Sequence, residues 1–121
     1  MKLLRLAFLL VCLLPVVGCG PSATHFADQL NSPDPVKRLH AVNALRHRTR
    51  EAKVVVPMLT EALKDQDASI RRDAARALGN FGPKAGEAVP ALRELAETDP
   101  AASVRRAATQ SLGRIDVSAR R

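Results

Sequence analysis

One ten-residue pattern recurs in this chain and constrains it more than any other feature. Ile70-Arg71-Arg72-Asp73-Ala74-Ala75-Arg76-Ala77-Leu78-Gly79 is answered by Val104-Arg105-Arg106-Ala107-Ala108-Thr109-Gln110-Ser111-Leu112-Gly113, at an offset of 34. Upstream, Val56-Pro57-Met58-Leu59 is answered by Val89-Pro90-Ala91-Leu92 at an offset of 33. The extra residue falls in the connection, where Asp99-Pro100-Ala101-Ala102 is longer than Asp67-Ala68-Ser69. A weaker copy comes first: Leu39-His40-Ala41-Val42-Asn43-Ala44-Leu45 lies 33 residues before Arg72 to Leu78. In that register Phe26 and Leu30 stand opposite Leu59 and Leu63. Units this short cannot bury an apolar face alone, so they must stack on one another.

Each unit reads as two helices. Ile70, Ala74, Ala77, Leu78 and Phe81 fall at i, i+4, i+7, i+8 and i+11, which is one apolar stripe of an α-helix. Asp34-Pro35 and Asp99-Pro100 are expected helix starts, with Asp as cap and Pro at the first helical position, and Asp67 is the expected cap of the middle unit. Gly79, Gly82 and Pro83 are expected to end that helix. Pro57 and Pro90 predict a bend or a late start in the first helices. Lys37 occupies the slot of Ile70 and Val104, and Val36 is expected to rotate in and replace it. Neither end carries an obvious polar capping unit, which predicts partial exposure of Leu112 and Ile115.

This unit resembles the HEAT repeat in its short bacterial form, the phycobilisome-lyase type. Val89-Pro90-Ala91-Leu92, Val104-Arg105-Arg106-Ala107-Ala108 and Leu112-Gly113 carry the likeness, with their equivalents one unit earlier. The resemblance implies an all-α fold, a right-handed α-solenoid of about three helix pairs, over units 24–48, 51–82 and 84–116 within a repeat domain 24–116. Residues 117–121 then form a basic tail.

The N-terminus has a different character. Lys2 and Arg5 precede the uncharged run Leu6 to Val17, the layout of a secretory signal, and the run is short of the ~20 residues of a membrane span. Val16-Val17-Gly18-Cys19 resembles the bacterial lipobox, departing from it at Val16, where Leu is commoner. The resemblance implies cleavage of signal peptide 1–18, a diacylglyceryl group on Cys19 and a lipidated tether 19–23. The mature chain then has 103 residues, and with Lys2 and Arg5 gone its charge falls from +7 to +5. Cys12 leaves as well, so no disulfide forms within the mature chain. Gly20 after the cysteine points to the outer membrane under the enterobacterial sorting rule. The expected location is a lipid-anchored one in the cell membrane or outer membrane, on the periplasmic side.

No catalytic constellation stands out. His25, His40 and His47 lack the spacing of a metal site, and the His-Glu dyads of HEAT-type hydroxylases are missing. No serine has a paired base at a recognisable motif, and no Gly-rich phosphate loop is present. With no Trp or Tyr and three Phe, there is little to line a tetrapyrrole pocket or to stack bases. The expectation is no enzyme, no cofactor, no metal, no nucleic acid and no small-molecule substrate.

What remains is the arginines. Arg38, Arg71 and Arg105 form one column, whose stems should pack along the core edge. The head of Arg71 is expected on backbone or on an Asp at a neighbouring helix start, such as Asp34 or Asp67. Arg72, Arg76 and Arg106 point further outward with Asn43 and Gln110. Second helices line the concave face of HEAT solenoids, which would make these five a partner-binding surface for another envelope protein with an acidic segment. Lys37, Arg38, Arg46, Arg48, Arg50 and Lys53 cluster near the anchor and are the expected membrane-surface residues. The expected function is a lipid-anchored interaction scaffold of the bacterial envelope. The alternatives are a lyase-like enzyme or chaperone and, without export, a nucleic-acid-binding protein.

Overall fold

The computed structural model describes residues 20–119, with side chains to residue 116. The expected signal peptide 1–18, Cys19, Arg120 and Arg121 lie outside the described residues. Within them are six α-helices and no strand: α1 His25–Leu30, α2 Pro35–Leu45, α3 Ala52–Ala62, α4 Ala68–Asn80, α5 Val89–Thr98 and α6 Ala102–Ala119. Short 3-10 turns, Thr49–Glu51 and Gly82–Ala88, lead into α3 and α5. The helices pair as α1/α2, α3/α4 and α5/α6. The second helices stand in a row, α2 packed on α4 and α4 on α6, as in an all-α repeat solenoid.

The apolar stripe read from the sequence is the spine of that row. Ile70, Ala74, Ala77, Leu78 and Phe81 are all buried, as are Val104, Ala107 and Ala108 one unit on. Alanines at the crossings let the helices approach closely, while Leu45, Leu59, Leu78 and Leu92 supply the bulk of the burial. Each such side chain contributes about 2 kcal/mol of transfer free energy.

Helix starts follow the aspartates in two units. Asp34 Oδ1 accepts the Val36 amide at 2.9 Å with Pro35 in the first turn. Asp67 Oδ1 accepts the Ser69 amide at 2.9 Å and the Ser69 hydroxyl at 2.6 Å. In the third unit the expected cap is corrected. Asp99 accepts the Ala101 amide, but the carbonyl of Ala101, not of Asp99, takes the first helical bonds from Val104 and Arg105. Asp99 stands at the position of Asp65, two residues before the cap, where Asp65 Oδ1 accepts the Asp67 amide and Ser32 Oγ accepts the Asp34 amide.

Other expectations change as well. Gly79 lies inside α4 and does not end it; the chain turns at Gly82, whose φ of 55° is left-handed, followed by Pro83. Gly113 has no such successor, and α6 runs through it to Ala119, since a lone glycine weakens a helix by only ~1 kcal/mol. Pro90 starts α5 late, as expected, whereas Pro57 sits exposed within α3. Val36 does not replace Lys37: it is 72% exposed. Ile70 and Val104 are buried, each in a unit with another helix pair before it, whereas among the described residues no helix pair precedes the first unit. Ile115 is buried, and only Leu112 is left half-exposed.

The arginine column is a ladder between units. Arg38 Nε donates to Asp65 at 2.8 Å, and Arg71 Nε donates to Asp99 at 2.8 Å. Each Nη1 also donates to two carbonyls of its own turn, Ser32 and Pro33 for Arg38, Asp65 and Gln66 for Arg71. The backbone partners match the expectation. The carboxylate partner of Arg71 is an aspartate before a neighbouring helix start, but it is Asp99; Asp34 and Asp67 are turned toward their own helix starts. Burial works against charge on Asp99, but the Arg71 hydrogen bonds and the Ala101 amide outweigh it and hold the carboxyl below the usual range. Ser69 holds Asp67 low in the same direction.

Candidate anion-binding groove

The second helices leave a groove of about 330 Å³ along their row. Arg46 comes to it from the end of α2, Arg72, Asp73 and Arg76 from α4, and Gln110 and Arg114 from α6. Their convergence follows from the repeat. Arg76 and Gln110 occupy one register position, as do Asn80 and Arg114, so stacking the helices aligns them.

Arg72 and Arg76 share a single carboxylate. Asp73 Oδ1 lies 2.9 Å from Arg72 Nε and 3.9 Å from Arg76 Nη1, so it answers only part of that charge. Arg46 Nη1 is 3.5 Å from Asn43 Oδ1. Guanidinium groups held this way offer paired N–H donors to carboxylate or phosphate oxygens. The groove's hydroxyl, on Ser111, is buried and donates to the Ala75 carbonyl at 2.6 Å, so it is committed to holding α6 on α4. The arrangement is suited to binding an oxyanion. Among the described residues, no group of three or more His, Cys, Asp or Glu could hold a metal ion. His25, His40 and His47 are exposed.

Of the five expected partner-binding residues, Arg72, Arg76 and Gln110 line this groove. Asn43 stands beside it through Arg46, and Arg106 is exposed on α6 away from its lining. Sequence reasoning missed Arg46 and Arg114. The second had a signal, its offset of 34 from Asn80; the first had none, being grouped with the anchor-side charges.

That anchor-side group divides. Arg38 is only 6% exposed and belongs to the ladder, so it is no membrane-surface residue: its two carboxylate bonds hold it inside the stack. Arg48 bonds Glu51 at 2.8 Å and lies over the Phe26 ring at 5.2 Å. Lys37, Arg46, Arg50 and Lys53 are exposed. The chain's entry is docked beside this surface, with Ala23 1% exposed and its amide 3.2 Å from Glu51 Oε2. Arg50, Lys53 and the 45% exposed Val54 share one surface with Lys84, whose Nζ donates to the Thr49 carbonyl at 3.1 Å. No described helix is long and apolar enough to cross a membrane.

Tandem helix pairs joined by inter-unit side-chain ladders define an α-helical repeat protein. The family model for HEAT repeats matches residues 23–113, and the chain belongs to that family. HEAT repeats commonly mediate protein–protein interaction. A comparison with curated proteins finds no match.

Proposed function

We propose that this protein is a lipid-anchored HEAT-repeat scaffold of the bacterial envelope, which captures an acidic segment of another envelope protein and performs no chemistry. The observation that carries the binding half is the meeting of Arg46, Arg72, Arg76 and Gln110 from three successive helix pairs in one groove, where Arg72 and Arg76 share the carboxylate of Asp73. Rigid helices hold these donors in advance of binding, which lowers the ordering cost of the complex. The anchoring half rests on the lipobox-like Val16-Val17-Gly18-Cys19 and on the short path from it to docked structure. Only Gly20, Pro21 and Ser22 separate Cys19 from the buried Ala23, so the repeat domain would stay within ~15 Å of the bilayer.

Fluorescence anisotropy with a labelled polyglutamate peptide tests the groove. The expected result is saturable binding that weakens with salt and falls about tenfold or more in Arg72→Ala/Arg76→Ala, with no binding of polylysine. Binding unchanged by that double substitution would sink the groove assignment. Intact mass of the membrane-extracted protein tests the anchor: loss of residues 1–18 with a diacylglyceryl adduct on Cys19 is expected, and an unprocessed chain would overturn it.

A further inference from the structure

The two edges of the stack differ in charge. Short connections make successive helices antiparallel, so the turns within pairs fall on one edge and the connections between pairs on the other. Side-chain bonds tie each edge together: Arg38 to Asp65 and Arg71 to Asp99 along the turns, and Lys84 Nζ to the Thr49 carbonyl at 3.1 Å along the connections. On the connection edge, residues 46–54 and 81–88 have a formal charge of +3, from Arg46, Arg48, Arg50, Lys53 and Lys84 against Glu51 and Glu87. On the turn edge, residues 28–38, 60–71 and 97–105 have a formal charge of −2, with the three column arginines included.

Two further features mark the connection edge. The first is an open, largely apolar cleft of about 600 Å³, lined by Ala52 and the 45% exposed Val54 together with Arg50, Lys53 and Lys84. The second is the root of the tether, which is fixed to the same edge. Glu51 accepts the Ala23 amide at 3.2 Å and the Arg48 guanidinium at 2.8 Å, and that guanidinium lies 5.2 Å from the centre of the Phe26 ring. With Glu51 so engaged, Glu87 is the other carboxylate lining the cleft, against three basic side chains.

We infer that the connection edge seats on the headgroups of anionic phospholipid, so that the solenoid stands edge-on to the bilayer with its turn edge outward. Arg50, Lys53 and Lys84 meet the phosphates, and Val54 meets the outermost acyl carbons. Basic heads around an apolar patch suit the bilayer interface, where both kinds of group are matched at one depth. The tether selects lipid over an acidic protein as the occupant: only Gly20, Pro21 and Ser22 separate Cys19 from the docked Ala23, so this is the edge brought to the membrane. The orientation rests on the lipid-anchor reading above and adds a posture to it. Standing edge-on leaves the arginine groove, on the face of the second helices, open to a partner, with Arg46 at its membrane-side end.

The chain has no Trp or Tyr, so a single introduced tryptophan reports its own surroundings. Val54→Trp places one on the connection edge and Gln66→Trp places one on the turn edge, and the preference of Trp for the interface is common to both. The membrane-extracted protein is reconstituted into vesicles of phosphatidylglycerol and phosphatidylcholine with brominated acyl chains. Quenching at position 54 is expected to exceed that at position 66 by about threefold or more, and to fall by about half or more in phosphatidylcholine alone and in Arg50→Gln/Lys53→Gln. Amide exchange of residues 49–54 in the unsubstituted protein reads the same contact without a variant: slowing of about threefold or more by anionic vesicles, and less by neutral ones, is expected. Equal quenching at the two positions in anionic vesicles, or quenching and exchange that ignore lipid charge, would overturn the orientation while leaving the anchor in place. Recovery of the protein outside the membrane fraction would overturn the anchor and the orientation together.

Discussion

Gly79 and Ser111 meet where the second helices of units two and three cross. A Cβ at Gly79 would stand 2.8 Å from Ser111 Oγ and 3.2 Å from the Ser111 Cα. The Ser111 hydroxyl uses the room to donate to the Ala75 carbonyl at 2.6 Å. Helix propensity alone favours Gly79→Ala by ~1 kcal/mol, whereas forcing two backbones apart costs ~1–3 kcal/mol. The clash wins because one neighbouring atom is backbone and cannot rotate away. Urea unfolding should show Gly79→Ala destabilised by about 1–2 kcal/mol. Gly113→Ala, with the same chemistry and open space, should be stabilised by up to ~1 kcal/mol.

The Arg71–Asp99 pair joins unit two to unit three, with side chains 12% and 3% exposed. Removing one partner leaves the other desolvated. Breaking fully buried pairs costs ~3–5 kcal/mol and exposed ones under ~1, which puts Arg71→Ala at about 2 kcal/mol. Arg105→Ala removes carbonyl bonds but no ion pair, and its loss should be smaller. Denaturant midpoints of the two variants check the order.

Acid should loosen the stack between units. Asp99 and Asp67 both have carboxyls held below their ordinary range. A depressed folded value means that the stabilisation is fully present above the unfolded value of ~4 and is lost as pH falls through the lower folded value. The melting temperature should therefore be flat from these groups between about pH 5 and 7, and fall below about pH 4. Asp99→Asn should start lower and show a shallower acid decline. Circular dichroism melts across that range measure both.

Basic residues at the tether root should hold the domain to anionic lipid. Arg50 and Lys53 are exposed beside Val54 and the docked Ala23, and each is worth up to ~1 kcal/mol near a charged surface. Arg50→Ala/Lys53→Ala should bind anionic vesicles about tenfold more weakly in low salt, measured by co-sedimentation without the lipid anchor. Lys37→Ala, which is not among the residues lining that surface, should change binding less.

Much of the fold was legible because it is periodic. The stripe from Ile70 to Phe81 and the caps at Asp34 and Asp67 depend on residues within a few positions, and local spacing reports them directly. The first unit read less well, since Val36 and Lys37 sit where no described helix pair covers them. Asp99 was read as a cap from its neighbour Pro100; its repeat position, matching Asp65, was the better guide. The groove was half legible: Arg76 and Gln110 share a register position and Arg72 lies one turn before Arg76, but Arg46 reaches it only because α2 packs on α4.

The sequence by itself determined the helix pairs, their number and their register, because apolar spacing, Asp and Pro starts and the 33–34 residue offset are properties of short segments. Only the tertiary structure decided which charges are buried and which meet. Arg38 reads both as a core-edge arginine and as a surface cation beside Lys37, and stacking decides between them by carrying Asp65 to it from 27 residues away. Ser111 and Gly79 are unremarkable apart, and they become a joint only where α6 crosses α4. Inter-unit contacts depend on how one pair is laid on the next, and that geometry is set by the summed packing of the whole row rather than by any segment within it.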